Sequence, residues 1–272
     1  ASLVLALVAI WFMRLQVRPI RLLAKAADSF GKGRDIGDFR PRGALEIRLA
    51  ARAFNQMSER VTKANSLRRQ MTADIAHDLR TPLTVVAGYL ESMQEGVLEP
   101  DPKRLAVMYR EITQLQRLVD DLMTLSRADA GELRLNLQKI PIATLLEQAT
   151  ASFYEQARKK DIRLACTCEA DLPDVLIDED RMLQVLGNLV NNALRYTQPG
   201  GLIRLTSTTQ GSEVVISVND TGEGIAPEDL PHIFERHYRA DSSRSQEGGE
   251  TGLGLAISRA IVLAHGGRIW AL

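Results

Sequence analysis

Apolar side chains three and four residues apart repeat through the first half of the chain, which is the spacing of one face of an α-helix. The pattern predicts one helix over residues 14–31 and a second that starts near Ile47 and continues to Met93. Glycines over residues 31–43 predict a connector between these two helices. Gly96 and the prolines that follow it end the second helix.

A further apolar stripe runs from Leu105 to Leu125 and predicts an equivalent helix. The short connection before it predicts an antiparallel hairpin with the preceding helix. One hairpin cannot bury two such stripes, whereas two hairpins form a four-helix bundle, so we predict a homodimer. The helix over 14–31 and the apolar stripe from Ile47 to Val61, with the glycine-containing connector between them, predict a small parallel coiled coil that also needs a partner chain.

Beyond Gly131 the spacing of apolar residues alternates between the helical and the strand period. Helices are predicted over 142–159, 178–196 and 252–265, and strands over 162–168, 202–208 and 213–219. This alternation predicts an α/β domain of about 140 residues, which is large enough to have its own core. Cys166 and Cys168 fall on one face of a predicted strand, and we interpret them as core residues rather than metal ligands.

The composition is that of an ordinary globular protein, with 45% apolar and 25% charged residues and a formal net charge of zero. The charge is unevenly distributed. Residues 1–70 carry 14 basic and 5 acidic side chains, and the rest of the chain carries 20 and 29. A basic start fits either nucleic acid or a membrane surface as a partner.

An uncharged run over residues 1–13 decides between these two partners. Basic residues follow it at once, beginning with Arg14 and Arg18, as they do on the cytoplasmic side of a membrane helix. Thirteen helical residues span only about 20 Å, so we interpret the run as the inner end of a transmembrane helix whose outer part is absent. A buried helix of a soluble protein is the alternative, and nucleic acid is not expected as a partner.

Residues 74–82 hold the first group of candidate chemical residues. The apolar positions of this predicted helix face inward, which leaves His77 and Asp78 on its sides or outer face. A carboxylate beside a histidine can accept one ring N–H and leave the other nitrogen as a nucleophile. Thr81 lies one turn further on and can share the same surface. A solvated histidine next to a surface aspartate is the alternative interpretation.

Asparagines are concentrated in one turn of the predicted helix 178–196. Asn188 and Asn192 share a helix face, and amide oxygens are hard ligands that suit Mg²⁺ bound to phosphate. Arg195 can contact phosphate, and Tyr196 can stack on a base. A polar face on a surface helix is the alternative.

Two glycine-containing segments follow. Asp220 ends a predicted strand just before Gly222 and Gly224. A carboxylate there can accept a hydrogen bond from the exocyclic amine of adenine, and the glycines allow the backbone to approach the flat base closely. Residues 248–255 lead into a predicted helix whose first N–H groups and dipole favour phosphate. The alternatives are an ordinary Asp-Thr-Gly turn and a chance Gly-x-Gly, since the sequence has no Walker motif.

Together these motifs resemble those of bacterial membrane sensor histidine kinases. Residues 74–82 resemble the phosphoacceptor box, 188–197 the asparagine box, 220–224 and 251–255 the two glycine boxes, 234–239 the phenylalanine box, and 19–20 with 46–57 a HAMP linker. The resemblance covers nearly the whole chain, in the family's order. Four motifs in register are more specific than any one of them.

The resemblance implies a multidomain fold: an all-α HAMP coiled coil and a dimeric four-helix bundle, followed by an α/β two-layer sandwich of the Bergerat (GHKL) type. It divides the chain into four parts. These are the inner end of a transmembrane helix (1–13), the HAMP linker (14–66), the dimerisation and phosphotransfer hairpin (67–130), and the catalytic ATP-binding domain (131–272), incomplete at its C-terminal end.

The resemblance also implies an ATP-dependent protein histidine kinase with ATP and Mg²⁺ as cofactors. His77 would accept the γ-phosphoryl group. Asp78 would orient and deprotonate the His77 ring, and Thr81 would position water when the partner is dephosphorylated. Asn188 would hold Mg²⁺. The other nucleotide contacts would be Asn192 and Arg195 near the phosphates, Tyr196 near adenine, Asp220 on the adenine amine with Gly222 and Gly224 beside it, and Thr251, Gly252, Leu253 and Gly254 at the phosphate end.

The implied partners are a second copy of the chain and the receiver domain of a response regulator, whose aspartate takes the phosphoryl group. The implied location is the bacterial inner (cytoplasmic) membrane, with the HAMP linker, the hairpin and the ATP-binding domain in the cytoplasm. Two positions depart from the family pattern. His237 replaces the usual aromatic residue, and Glu250 stands where a glycine often precedes the second glycine box.

Two rival functions remain open from the residues themselves. One is an ATPase of the gyrase and Hsp90 type that never phosphorylates histidine, and the other is a non-catalytic membrane scaffold. A protein that works mostly as a phosphatase is a variant of the main hypothesis. Among the remaining residues, His265 is predicted to lie at a helix end that favours a positive charge, and Asp178 or Asp180 is predicted to cap a helix.

Overall fold

A computed structural model describes residues 2–4, 11, 18–32, 45–236, 238 and 252–272 of the chain. The first part of the described chain is helical, and the second part combines helices with β-strands. The predicted order of an all-α region followed by an α/β domain is therefore confirmed. The chain forms two compact units, Ala1–Asp74 and Ile75–Leu272.

In the first unit, helix α1 (Arg18–Gly31) precedes the start of helix α2 (Leu45–Gln94). The rings of Phe30 and Phe54 meet edge to face, with centroids 6.1 Å apart and an angle of 83° between their planes. Ile47, on the predicted apolar stripe, is buried. Most of the predicted membrane segment and of the predicted connector lies outside the described residues.

Helix α2 runs for 50 residues without a break, as the continuous spacing from Ile47 to Met93 predicts. It ends shortly before Gly96, whose φ of +73° belongs to the left-handed region that glycine favours. Helix α3 (Pro102–Asp129) begins after Asp101, whose side chain accepts a hydrogen bond from the Lys103 N–H. Among the described residues, no helix combines the length and the apolar character that crossing a bilayer requires.

The second unit continues into the α/β region. Its elements are β1 (Gln138–Ile140), α4 (Ile142–Lys159), β2 (Arg163–Cys168), β3 (Val175–Ile177), α5 (Glu179–Tyr196), β4 (Leu202–Gln210), β5 (Glu213–Asp220) and α6 (Gly254–Ala264). The predicted segments correspond to six of these elements with small differences at their ends. Sequence reasoning missed β1 and β3 because three residues are too few to show a period.

Strand β4 lies between its two neighbours in a three-stranded sheet, parallel to β2 and antiparallel to β5. Strands β1 and β3 form a separate antiparallel pair. The main core joins the sheet to α4 and α5, and Ile203 and Leu205 of β4 are fully buried in it. Cys166 and Cys168 pack partly buried against this core, which confirms their predicted role.

A second apolar cluster joins α3 to α5 and α6, and we refer to it as the α3–α6 cluster. Its buried members are Leu118, Leu125, Val185, Leu253, Ala256, Ile257 and Ile261. Leu79 of α2 packs against this cluster from outside. The helix that carries His77 therefore reaches the same apolar contact region as the start of α6.

Candidate nucleotide and phosphoacceptor site

The phosphoacceptor segment lies within the long helix α2. His77 is exposed, Asp78 is half-buried, and Leu79 turns toward the α3–α6 cluster. The Thr81 hydroxyl donates a hydrogen bond to the His77 backbone oxygen at 3.2 Å. Pro82 is buried and has no backbone N–H, so it cannot donate a hydrogen bond to the preceding turn of the helix. The bond from the Thr81 hydroxyl is added at the place where this backbone bond is missing. The arrangement leaves the imidazole accessible on a fixed stretch of helix.

Asn188 connects α5 to the start of α6. Its side-chain nitrogen donates to the Gly254 backbone oxygen at 2.9 Å and to the Ser258 hydroxyl at 3.4 Å. A backbone carbonyl only accepts, so the amide group must face Gly254 through its nitrogen. This bond fixes the orientation of the Asn188 amide group, whose oxygen would lie 3.6 Å from a Cβ atom at Gly254. By its chemistry this oxygen suits a hard cation such as Mg²⁺.

The rest of the asparagine segment lies on the same helix. Asn192 is half-buried, and so are Arg195 and Tyr196 at the end of α5. The Arg195 guanidinium carbon lies 5.7 Å from the centre of the Tyr196 ring, within the range of a cation–π contact. This contact orients both side chains at the end of the helix.

The segment after β5 packs against the end of α5. Asp220 accepts a hydrogen bond from the Gly222 N–H at 2.9 Å through one carboxylate oxygen. A Cβ atom at Gly222 would lie 2.7 Å from the Tyr196 backbone oxygen and 2.8 Å from the Asp220 carboxylate. Glycine is therefore required here by the neighbouring protein backbone, whereas we predicted that its role is to approach the base. Gly224 has φ of +76°, so its conformation also favours glycine.

The start of α6 is anchored by Leu253, whose side chain is fully buried in the α3–α6 cluster. Gly252 has φ of +65°, and the N-cap residue Leu253 has no polar side chain to cap the helix start. The N–H groups at a helix start of this kind suit an anion. Thr251 lies outside the described residues, as do His237 and Glu250.

The structure thus brings three of the predicted segments together. The asparagine helix contacts the first glycine segment through Tyr196 and Gly222, and the second through Asn188 and Gly254. Among the described residues, no group of three or more histidine, cysteine, aspartate or glutamate side chains could hold a metal ion. An amide ligand such as Asn188 falls outside that kind of cluster.

Sequence reasoning missed several polar contacts around this site. Ser258 is fully buried and donates to the Gly254 backbone oxygen at 2.9 Å. Arg236, in the predicted phenylalanine box, pairs with Asp129 at the end of α3. The spacing of Gly254 and Ser258 is one helical turn and is visible in the sequence, but the contact across 107 positions between Arg236 and Asp129 has no local signal.

Two minor predictions can also be compared with the structure. Asp178 caps α5, as predicted, by accepting from the Arg181 N–H at 3.1 Å. His265 lies at the end of α6, as predicted, but its ring is not the cation that a helix end favours. Its Nε2 accepts a hydrogen bond from the Asp178 N–H at 3.0 Å, which only a neutral ring can do.

Three known domain families match the chain in sequence. Residues 11–63 match the HAMP domain, and residues 67–131 match the His Kinase A (phospho-acceptor) domain. Residues 177–271 match the histidine kinase-, DNA gyrase B-, and HSP90-like ATPase. The three matches follow one another in the order that the motifs predict.

Among curated relatives, the signal transduction histidine-protein kinase BaeS of Escherichia coli K12 is 35% identical over 274 residues, covering all of this chain and 58% of its own. The sensor protein SrrB of Staphylococcus aureus is 40% identical over 209 residues, covering 75% of this chain and 36% of its own. The chain thus spans about half or less of the length of these relatives.

Solved structures give the same class of neighbour. The histidine kinase AdeS of Acinetobacter baumannii superposes with a TM-score of 0.58 at 30% identity, over 69% of this chain and 86% of that one. The histidine kinase ThkA, solved in complex with the response regulator protein TrrA, superposes with a TM-score of 0.58 at 25% identity, over 79% of this chain and 61% of that one. The chain therefore belongs to the sensor histidine kinases.

Proposed function

We propose that this chain is an ATP-dependent protein histidine kinase that phosphorylates His77 and passes the phosphoryl group to an aspartate of a response regulator. The observation that carries the proposal is the hydrogen bond from Asn188 to Gly254. It joins a helix rich in amide ligands to a helix start that suits phosphate. Leu79 packs against the α3–α6 cluster, which contains Leu253. This contact supports a phosphoacceptor helix that lies close to the start of α6.

Transfer to His77 requires one ring nitrogen to carry a lone pair and to face the terminal phosphate in line with the leaving oxygen. We assign Asp78 to hold the other ring nitrogen and to take up the proton. The Thr81 hydroxyl donates to its own helix and keeps its lone pairs. Those lone pairs suit a water molecule, so we assign Thr81 to the dephosphorylation of the partner.

The nucleotide is assigned to the cleft between α5, the turn after β5 and the start of α6. One carboxylate oxygen of Asp220 is occupied by the Gly222 N–H, which leaves the other for the adenine amine. Tyr196 lies beside that turn and offers a ring face to the base. The phosphates would meet Asn192, Arg195 and the segment that leads into α6 with Gly252, Leu253 and Gly254. We assign Thr251, which precedes this segment in the sequence, to the same task. Gly222 and Gly224 shape the turn next to the base.

Magnesium is assigned to Asn188, whose amide group is held in one orientation by the bond to Gly254. When bound, Mg²⁺ would offset the negative charge of the phosphates. The protein side of this task is to keep the amide oxygen in one orientation. Ser258 contributes by accepting from the same amide nitrogen at 3.4 Å.

We propose that two copies of the chain pair along the helical hairpin. Large apolar side chains remain exposed on α2 and α3, among them Leu83 at 53% and Leu90 at 52% exposure. A soluble monomer rarely exposes a continuous apolar stripe of this kind. The family match to the phospho-acceptor domain and the response regulator complex of ThkA support both proposed partners.

The proposed location is the bacterial cytoplasmic membrane, with residues 1–13 as the inner end of a membrane helix and the remaining parts in the cytoplasm. The HAMP match over residues 11–63 supports a linker next to a membrane. For the parts of the chain, we propose the predicted limits: linker to residue 66, hairpin to residue 130, and ATP-binding domain beyond it.

The direct test is incubation of the chain with γ-labelled ATP and Mg²⁺. We expect label that is stable in base and labile in acid, as phosphohistidine is, and its loss in His77→Gln. The matched control is His232→Gln, because His232 is also exposed but pairs with Glu235 away from the proposed phosphoacceptor. Label that persists in His77→Gln would contradict the assignment.

A further inference from the structure

The His265 ring makes two hydrogen bonds that fix its protonation. Its Nδ1 lies 2.8 Å from the Ile261 backbone oxygen, one turn earlier in α6. Its Nε2 lies 3.0 Å from the Asp178 backbone nitrogen. A carbonyl oxygen only accepts and an N–H only donates, so Nδ1 must carry the proton and Nε2 the lone pair. The geometry therefore selects one neutral tautomer.

This ring bonds to the residue from which α5 starts. The Asp178 carboxylate is buried and accepts from the backbone N–H groups of Arg181 at 3.1 Å and Asn136 at 2.8 Å. The backbone N–H of Asp178 takes no part in these two hydrogen bonds and donates instead to Nε2 of His265. The end of α6 is thereby tied to the start of α5.

A second tie connects the middle of α5 to the start of α6, where Asn188 donates to the Gly254 oxygen. The ten residue steps from Asp178 to Asn188 rise about 15 Å, and the eleven steps from Gly254 to His265 rise about 17 Å. The two lengths match, so α6 runs antiparallel to the first part of α5 with one polar tie at each end of α6. Apolar side chains such as Val185 and Ile257 fill the space between the ties.

We propose that His265 is a positioning residue for the nucleotide site: its bond to the Asp178 N–H fixes α6 along α5, so that the Asn188 oxygen and the start of α6 meet Mg²⁺–ATP together. This inference deepens the proposed function and rests on it. Apolar packing alone holds two helices together but permits small sliding, because it has no direction. A hydrogen bond at each end of α6 prevents this helix from sliding along α5.

The role needs a hydrogen-bond acceptor at the position of Nε2. The side-chain oxygen of glutamine can occupy that position, so His265→Gln is expected to keep the tie. Leucine fills a similar volume and offers no acceptor, so His265→Leu removes the tie while keeping the packing. The comparison of the two variants separates the hydrogen bond from the bulk of the ring.

The first measurement is the ¹⁵N spectrum of the imidazole in the nucleotide-free protein. We expect the shifts of a neutral ring protonated at Nδ1. The second is calorimetric titration with a non-hydrolysable ATP analogue and Mg²⁺. His265→Leu should bind about tenfold more weakly, a loss of the order of one hydrogen bond, and His265→Gln should bind like the wild type.

Kinetics provide a third readout. In His265→Leu the KM for ATP should rise while the rate of His77 phosphorylation at saturating ATP stays near that of the wild type, because the phosphoacceptor is untouched. A ring protonated at Nε2, or equal analogue binding by the wild type and His265→Leu, would overturn the inference and leave the proposed kinase intact. A wild type that binds no analogue would overturn the proposed function and the positioning role with it, while the ring spectrum would still report the tie.

Discussion

Gly222 has no room for a side chain. The space that its Cβ would occupy is already filled by the Tyr196 backbone oxygen at 2.7 Å and the Asp220 carboxylate at 2.8 Å. A backbone oxygen cannot rotate away as a flexible side chain can. An added methyl group must therefore separate the end of α5 from the turn after β5, and this is where the proposed adenine site lies.

We expect Gly222→Ala to lower the free energy of unfolding by about 1–3 kcal/mol, the usual cost of overpacking, and to weaken binding of an ATP analogue. Chemical denaturation and calorimetric titration measure the two effects. Gly187→Ala is the matched control, since its Cβ would meet only the Phe153 ring at 3.5 Å, an ordinary contact.

The control has a prediction of its own. Alanine is a better helix former than glycine, so Gly187→Ala should leave binding unchanged and raise the stability of the protein by up to about 1 kcal/mol. Equal stability and binding in Gly222→Ala and the wild type would show that the turn moves aside at no cost, which contradicts the packing argument.

Helix α3 contains a carboxyl group whose ionisation opposes folding. The pKa of Asp121 is raised from 3.8 to about 6, first by burial and then by the neighbouring Asp120, whereas Arg117 lowers it. The folded protein therefore holds this proton more tightly than the unfolded chain does. Its contribution to stability is full below about pH 4 and is lost as the pH rises through 6.

We expect Asp121→Asn to be more stable than the wild type by about 1 kcal/mol at pH 7.5, a value reduced for the solvent screening of a partly exposed group. The difference should vanish toward pH 4, where the wild-type carboxyl is protonated in both states. Denaturation at pH 4, 6 and 7.5 measures it. Asp120→Asn removes only the second cause, so its pH-dependent gain should be smaller. A constant difference at all three pH values would contradict the ionisation argument.

At the scale of the whole molecule, the exposed apolar stripe on the hairpin predicts pairing of two chains. Leu83 and Leu90 are seven residues apart on α2, so they lie on one face. We expect the double variant Leu83→Asp/Leu90→Asp to reduce the mass in sedimentation from twice that of the chain to 30.1 kDa, because buried unpaired carboxylates would disfavour the interface.

The control for this prediction is Leu176→Asp on β3. Leu176 is 57% exposed, as apolar and as accessible as the two hairpin residues, but it lies outside the hairpin. It should leave the dimer intact. A double hairpin variant that still sediments with the mass of the wild type would contradict pairing along this face.

Much of this protein follows from the chain read by itself. Helical spacing located α2 and α3, because a surface helix must present one apolar face along its whole length. The motif residues Asn188, Asp220 and Gly254 were identifiable because their chemistry is local: an amide ligand, a carboxylate at a strand end and a glycine at a helix start. Local chemistry needs no knowledge of distant neighbours.

The tertiary structure alone decided which of these residues touch. The tie between His265 and Asp178 joins positions 87 residues apart, and it makes neutral a ring for which the helix end by itself favours a positive charge. Gly222, in the turn after β5, is required by the Tyr196 backbone oxygen at the end of α5. Contacts of this kind depend on how helices and strands pack against one another, and a sequence carries no periodic signal for a single contact between distant elements.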